Sequence, residues 1–102
     1  MANPSRNYVS TDLGRLHVGC TGTGRPVVLW HSLFVDSRSW GSIVQALGRD
    51  RTVYTIDGPS HGGSEAVTRD FTFDECVAAA EQVLDCLDLN EPVDWVGNAW
   101  GG

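Results

Sequence analysis

Hydrophobic positions in this chain switch between two periods, and the switches divide it into short alternating elements. Over residues 13–20, Leu16, Val18 and Cys20 alternate with Arg15, His17 and Gly19, which predicts a strand with one buried face. Thr21-Gly22-Thr23-Gly24 breaks the alternation as a turn, closed by Pro26. Val27-Val28-Leu29-Trp30 is an unbroken apolar run, suited to a strand buried on both faces of a parallel sheet. From Trp40 the period lengthens. Trp40, Ile43, Val44 and Leu47 stand at i, i+3, i+4 and i+7 and predict one helix face, with Gly48 as its C′ terminator. Val53–Ile56 reads as the next strand and Asp57–Ser64 as a glycine-rich loop.

The best-marked element follows. Thr72 with Glu75 three residues on forms a capping box, and Phe71 and Cys76 stand where a hydrophobic staple would join. Val77, Ala80, Leu84 and Leu87 line the expected apolar face, widened by Cys76, Ala79 and Val83, and Asn90 and Pro92 are expected to end the helix. Val93–Val96 is a last strand. Strands alternating with helices at this spacing predict an α/β fold, a mostly parallel sheet flanked by helices and joined by right-handed crossovers.

Composition narrows the function classes. The 41% hydrophobic content and four tryptophans imply a packed core rather than disorder. The formal net charge is -6, and all seven basic residues are arginines scattered from Arg6 to Arg69, so no phosphate-tracking stripe exists and nucleic acid is not an expected partner. No apolar run reaches the roughly 18 residues of a membrane span. Met1–Arg6 shows no apolar leader core, so a cytoplasmic location is expected. Cys20, Cys76 and Cys86 form no Cys-x-x-Cys pair and are expected as reduced thiols, the latter two packed on the helix's buried side. No metal-ligand cluster or dinucleotide fingerprint is visible, and no cofactor is expected.

Chemistry is concentrated after the strands. Gly97-Asn98-Ala99-Trp100-Gly101-Gly102 has the form of the G-x-S-x-G strand-to-helix turn, with alanine at its centre. Small residues at 97 and 101 relieve the crowding of so tight a turn, and its central side chain is pushed out from the sheet edge. His31-Ser32-Leu33-Phe34 follows Val27–Trp30, and Asp57-Gly58-Pro59-Ser60-His61-Gly62-Gly63-Ser64 follows Val53–Ile56. These three segments, in this order and each after a strand, resemble the N-terminal half of the α/β-hydrolase fold superfamily over residues 8–102. The His31-Ser32-Leu33 segment is similar to that of esterase and enol-lactonase-like members.

The resemblance implies a division of roles. Ala99 occupies the nucleophile position. The backbone N–H groups of Leu33 and Trp100 are the implied oxyanion donors, and Ser32, Phe34 and Asn98 the implied substrate-binding residues. His31 is expected to brace its loop by hydrogen bonding rather than act as a base, and Asp57 to organise turn amides in the manner of an Asx turn. His61 is a loop residue with a smaller claim to substrate contact. The sequence also departs from the family: Ser32 and Ser60 stand where glycines are usual, and Ala99 cannot attack a carbonyl. Three readings of Ala99 stay open, namely replacement of a parental serine, a natural member with non-covalent or lost activity, and a coincidental match.

The implied function is that of a serine-type carboxylic ester or lactone hydrolase, inactive in the form that carries Ala99. Alternatives are a non-catalytic small-molecule binding protein, a carbon–carbon or amide hydrolase, and a cofactor-free oxygenase led by a histidine. Residues 1–102 are expected to be the N-terminal part of a single domain. The missing strands, the catalytic acid and the catalytic histidine are expected on a second chain docked along residues 93–96, which would otherwise leave an apolar edge. A homo-oligomer of the assembled unit is left open.

Overall fold

The computed structural model describes residues 5–32, 35–89 and 92–98. Five strands form one sheet in the order β1-β2-β4-β3-β5, comprising β1 (Ser5–Thr11), β2 (Gly14–Thr21), β4 (Arg51–Ile56), β3 (Arg25–Trp30) and β5 (Asp94–Gly97). The pairs β1–β2 and β2–β4 are antiparallel, whereas β3 runs parallel to both β4 and β5.

Strand β1 is not visible in the hydrophobic pattern, because Val9 is buried while the neighbouring Tyr8 is largely exposed. Pairing supplies what alternation does not. Residues 5–11 match residues 20–14 one for one, from Ser5↔Cys20 to Thr11↔Gly14. The hairpin turn is tied by Thr11, whose Oγ1 donates to the Gly14 carbonyl at 2.7 Å and accepts the Leu13 N–H at 3.1 Å.

Strand β3 is covered on both sides, as its unbroken apolar run predicts. Val28 and Trp30 join the larger cluster with Leu16, Val18, Ile56 and the helix α2 (Phe73–Cys86), while Val27 and Leu29 point the other way, onto Val53 and the segment holding Trp40, Val44 and Leu47. That segment is not the single helix expected. It consists of a 3₁₀ turn (Ser37–Trp40) and a short helix α1 (Ser42–Leu47), broken by Gly41 at φ 54. The break turns Ile43 toward solvent, and Trp40, Val44 and Leu47 alone meet the sheet. Gly48 caps α1 with a right-handed φ of -67 and is not a left-handed C′ residue.

Helix α2 begins as predicted. The Glu75 N–H donates to Thr72 Oγ1 and the Thr72 N–H to Glu75 Oε1, both at 3.2 Å. Phe71 packs against the cluster that contains Cys76. The buried face is narrower than expected, with Cys76, Ala79, Ala80 and Val83 at its centre and Leu84 and Leu87 at its margin. Val77 is 54% exposed and Cys86 is also exposed, so neither belongs to the core. Val77 lies off the 76, 79, 80, 83 stripe, whereas Cys86 continues its spacing but sits on the last turn, at the end of the helix. The helix stops earlier than Asn90 and Pro92 would require. Asp88 adopts a left-handed φ of 57, its N–H donates to the Asp85 carbonyl, and the Leu89 N–H donates to the Leu84 carbonyl at 2.9 Å, a Schellman closure without glycine. Asn90 lies outside the described residues.

Strand β5 is set against β3 by backbone pairing and two further contacts. Asp94 accepts from Arg25 at 2.8 Å and from Arg51 at 2.7 Å, and the Trp95 ring stacks on Trp30 with centroids 5.8 Å apart. Trp95 and Val96 remain partly exposed. Because β3, β4 and β5 are parallel, their C-terminal ends share one edge of the sheet. That edge carries His31, Asp57 and Asn98.

Candidate active site

His31 leaves β3 and is buried, with 1% of its surface exposed. Its Nδ1 lies 2.7 Å from the Ser32 carbonyl, which only accepts, so Nδ1 carries the proton. Nε2 is then a lone-pair acceptor, and it receives the Gly58 N–H at 2.9 Å. One neutral imidazole thus ties the loop after β3 to the loop after β4. Burial lowers the pKa of His31. The bond to Ser32 opposes that, the neighbouring His61 adds to it, and the charges of Asp57 and Asp36 oppose it without reversing it.

Asp57 ends β4 and is also buried. Its carboxylate does not close a local Asx turn. Oδ1 accepts the Ser37 N–H at 2.7 Å, and Oδ2 accepts from His17 Nδ1 at 2.8 Å and from the Gly63 N–H at 3.1 Å. The group therefore joins three separate segments. Burial pushes its pKa up, but the bonds from Ser37, Gly63 and His17 outweigh burial and hold the carboxyl below its usual value.

The loop after β4 is shaped around this carboxylate. Gly62 has a φ of 49, and a Cβ there would stand 2.6 Å from the Asp57 carboxyl carbon. Ser60 also has a left-handed φ, 65, which accounts for glycine being usual at this position. Its side chain gives a local return, since Ser60 Oγ accepts the Val67 N–H at 2.8 Å. His61 donates from Nδ1 to the Pro59 carbonyl at 2.8 Å, and its ring lies 5.1 Å from that of His31. A cavity of ≈ 760 Å³ opens beside these groups, lined by Asp36, Arg38, Ser60 and His61 among others.

Asn98 follows β5 with an exposed side chain, and its N–H donates to the Trp30 carbonyl at 3.2 Å. The edge thus brings together His31, Ser32, Asp57 and Asn98. Leu33, Phe34, Ala99 and Trp100 lie outside the described residues. Among the described residues, no group of three or more His, Cys, Asp or Glu side chains could hold a metal ion, and no helix is long and apolar enough to cross a membrane.

Sequence reasoning missed His17, Ser37 and Ser64. His17 sits on β2 on the face opposite Leu16 and Val18, where the alternation marks a polar position and nothing more. Its backbone N–H donates to Ser64 Oγ at 2.8 Å, and its carbonyl accepts the Asp57 N–H at 2.9 Å.

A match to the model of the alpha/beta hydrolase family covers residues 27–102, the part of the chain that holds all three loops. This chain belongs to the alpha/beta hydrolase family. It is 29% identical over 80 residues to (E)-2-((N-methylformamido)methylene)succinate hydrolase of Acinetobacter baylyi, covering 78% of this chain and 30% of that protein. It is 28% identical over 75 residues to pimeloyl-[acyl-carrier protein] methyl ester esterase of Nitrosomonas europaea, covering 74% of this chain and 28% of that protein. The crystal structure of epoxide hydrolase VrEH1 from Vigna radiata matches with a TM-score of 0.89 at 24% identity, over 96% of this chain and 32% of that one. The last likeness speaks to the fold alone. The chain spans about a third of the length of these relatives.

Proposed function

We propose that this alpha/beta hydrolase family member is built for hydrolysis of a carboxylic ester or lactone by a serine-type mechanism, with Ala99 standing where the nucleophile would be. The observation that carries this reading is the convergence of three loops at the C-terminal ends of β3, β4 and β5, two of them tied by the neutral imidazole of His31. In this reading the backbone N–H groups of Leu33 and Trp100 stabilise the tetrahedral oxyanion, an effect whose loss costs on the order of 10²–10³ in kcat per donor. In the same reading Ser32, Phe34 and Asn98 are the substrate-binding residues. A serine at position 99 would add to the carbonyl carbon as a histidine removes its proton, and the same histidine would then protonate the leaving alkoxide.

That histidine is none of the three in this chain. His17 is bonded to Asp57, His31 to Ser32 and Gly58, and His61 to Pro59. We place the base and its acid on a segment outside residues 1–102, in cis or on a second chain, packed along β5. The exposed Trp95 and Val96 and the greater length of the relatives support this. Relatives named as a hydrolase and a methyl ester esterase support the reaction class.

Ala99 itself favours a second reading, a binding protein that holds a small molecule without cleaving it. The Ala99→Ser variant, assembled with the segment that carries the base and its acid and treated with a fluorophosphonate probe, separates the two. Covalent labelling at residue 99 is the expected result, and a variant that folds but takes no label supports the binding reading.

A further inference from the structure

We propose that His17, far from the substrate edge in sequence, is a positioning residue that acts through Asp57 on the loop following β3. The segment from His31 to Ser37 is clasped at both flanks onto two consecutive residues. At its start, His31 Nε2 accepts the Gly58 N–H at 2.9 Å. At its end, the Ser37 N–H donates to Asp57 Oδ1 at 2.7 Å. The second clasp holds only while the Asp57 carboxylate keeps one orientation. That orientation is set on its other oxygen, where His17 Nδ1 and the Gly63 N–H converge on Oδ2.

His17 is itself held on every side that matters. The Asp57 N–H donates to its carbonyl at 2.9 Å, and its own N–H donates to Ser64 Oγ. Ser64 Oγ in turn donates to the Asp57 carbonyl. The ring packs against Tyr8 with centroids 5.4 Å apart, and a Cβ on Gly63 would come within 3.0 Å of it. His17 is thus wedged between β1 and the loop after β4, with its Nδ1 aimed at one carboxylate oxygen. Removing the His17 donor leaves the Gly63 N–H alone on Oδ2, so Asp57 is held less firmly and the Ser37 flank loosens while the His31 flank stays closed. Because a displacement of about 1 Å at a reacting centre can cost on the order of 10² in rate, this asymmetric release bears on kcat rather than on substrate binding.

The proposal rests on the hydrolase reading for its effect on turnover, but not for its effect on the loop. Hydrogen exchange therefore comes first, on the intact protein. In His17→Leu the Ser37 amide and its neighbours Val35 and Asp36 are expected to exchange at least tenfold faster, with β3 and α2 amides unchanged. His17→Asn, whose side-chain amide reproduces the Nδ1 donor, is expected to restore the slow rate. Faster exchange spread evenly over β3 and α2, no change at Ser37, or a His17→Asn variant that behaves like His17→Leu overturns the proposal. If His17→Leu fails to fold, His17→Gln, which moves the donor out of the Nδ1 position, is read by the same outcomes. In an Ala99→Ser background assembled with the segment that carries the base and its acid, p-nitrophenyl acetate hydrolysis is expected to lose roughly tenfold to hundredfold in kcat with KM nearly constant when His17→Leu is added. An Ala99→Ser parent that turns over no ester even when assembled with that segment sinks the hydrolase reading and leaves the exchange result standing.

Discussion

His31 receives the Gly58 N–H on a lone pair, not on a protonated nitrogen. The bond therefore exists only while the ring is neutral. Protonation would aim an N–H at an N–H and set a cation beside His61, offset in part by the Ser32 carbonyl and the charges of Asp57 and Asp36. Since burial lowers the folded pKa below the ordinary 6.5, the unfolded chain takes up this proton first as pH falls. His31 thus contributes stability that is fully present above the unfolded value and is lost as pH falls from there toward the lower folded value.

The first prediction follows from that sign. Between about pH 7 and about pH 5 the denaturant midpoint of the protein falls, and the fall is smaller in His31→Gln, which does not titrate. His31→Leu leaves the Gly58 N–H and the Ser32 carbonyl without this partner and costs about 1–3 kcal/mol at neutral pH. Urea titrations at several pH values check both statements, and an equal pH slope in protein and variant would falsify the assignment of the slope to His31.

How much of this was legible in the sequence depends on whether the cause was local. The capping box at Thr72 and Glu75 is written in four adjacent residues, and it forms as read. The two-sided burial of β3 is written in the run Val27–Trp30. By contrast, β1 owes its existence to a partner strand, and the division at Gly41 to the angle at which the chain enters α1, neither of which periodicity encodes. The site shows the same split. His31 was legible as a brace from the motif around it. The His17–Asp57 bond spans 40 residues and joins a strand to a loop, so only the folded chain brings the two groups together.

Loss of the Thr72 cap tests a local device without touching the site. Thr72→Ala removes the acceptor of the Glu75 N–H at the start of α2. It is expected to cost about 1 kcal/mol of stability, within the roughly 0.5–2 kcal/mol range for such caps. Thermal or urea unfolding reads it, and a change well under that range would mean that Glu75 and Arg69 hold the helix start without Thr72.

The three thiols should separate by reactivity. Cys86 is exposed on the last turn of α2, Cys20 is half-buried, and Cys76 is buried with its pKa raised by that burial and by Glu75. A maleimide at neutral pH is expected to label Cys86 first and Cys76 only after denaturant is added. Peptide mapping of the native protein checks the order, and early labelling of Cys76 would contradict the packing of α2 on the sheet.

Burial of β3 on both faces gives a larger effect. Leu29 is fully buried between the sheet and the Trp40–Leu47 segment, so Leu29→Ala opens a cavity and is expected to cost about 2–5 kcal/mol. Leu47, at the margin of the same cluster, should cost less when truncated. Urea unfolding of both variants orders them.

Two glycines separate backbone strain from site geometry. Gly41 and Gly62 both have positive φ values, 54 and 49, so alanine at either position carries a conformational penalty, and at Gly41, where ψ is -132, the backbone lies in a region that glycine alone adopts readily. Around Gly41 nothing lies within 4 Å of an added Cβ, whereas at Gly62 the added carbon would stand 2.6–2.8 Å from the carboxyl atoms of Asp57. The two backbone penalties differ, so the push on Asp57 is read from hydrogen exchange at Ser37 rather than from the difference in stability. Gly62→Ala is expected to speed hydrogen exchange at the Ser37 amide, which depends on Asp57 Oδ1. Gly41→Ala is expected to leave Ser37 exchange unchanged relative to the rest of the chain, although it lies nearer in sequence. If Gly62→Ala leaves the Ser37 rate unchanged, the carboxylate is free to move aside, and Asp57 does not hold the loop after β3 in the way its hydrogen bonds describe.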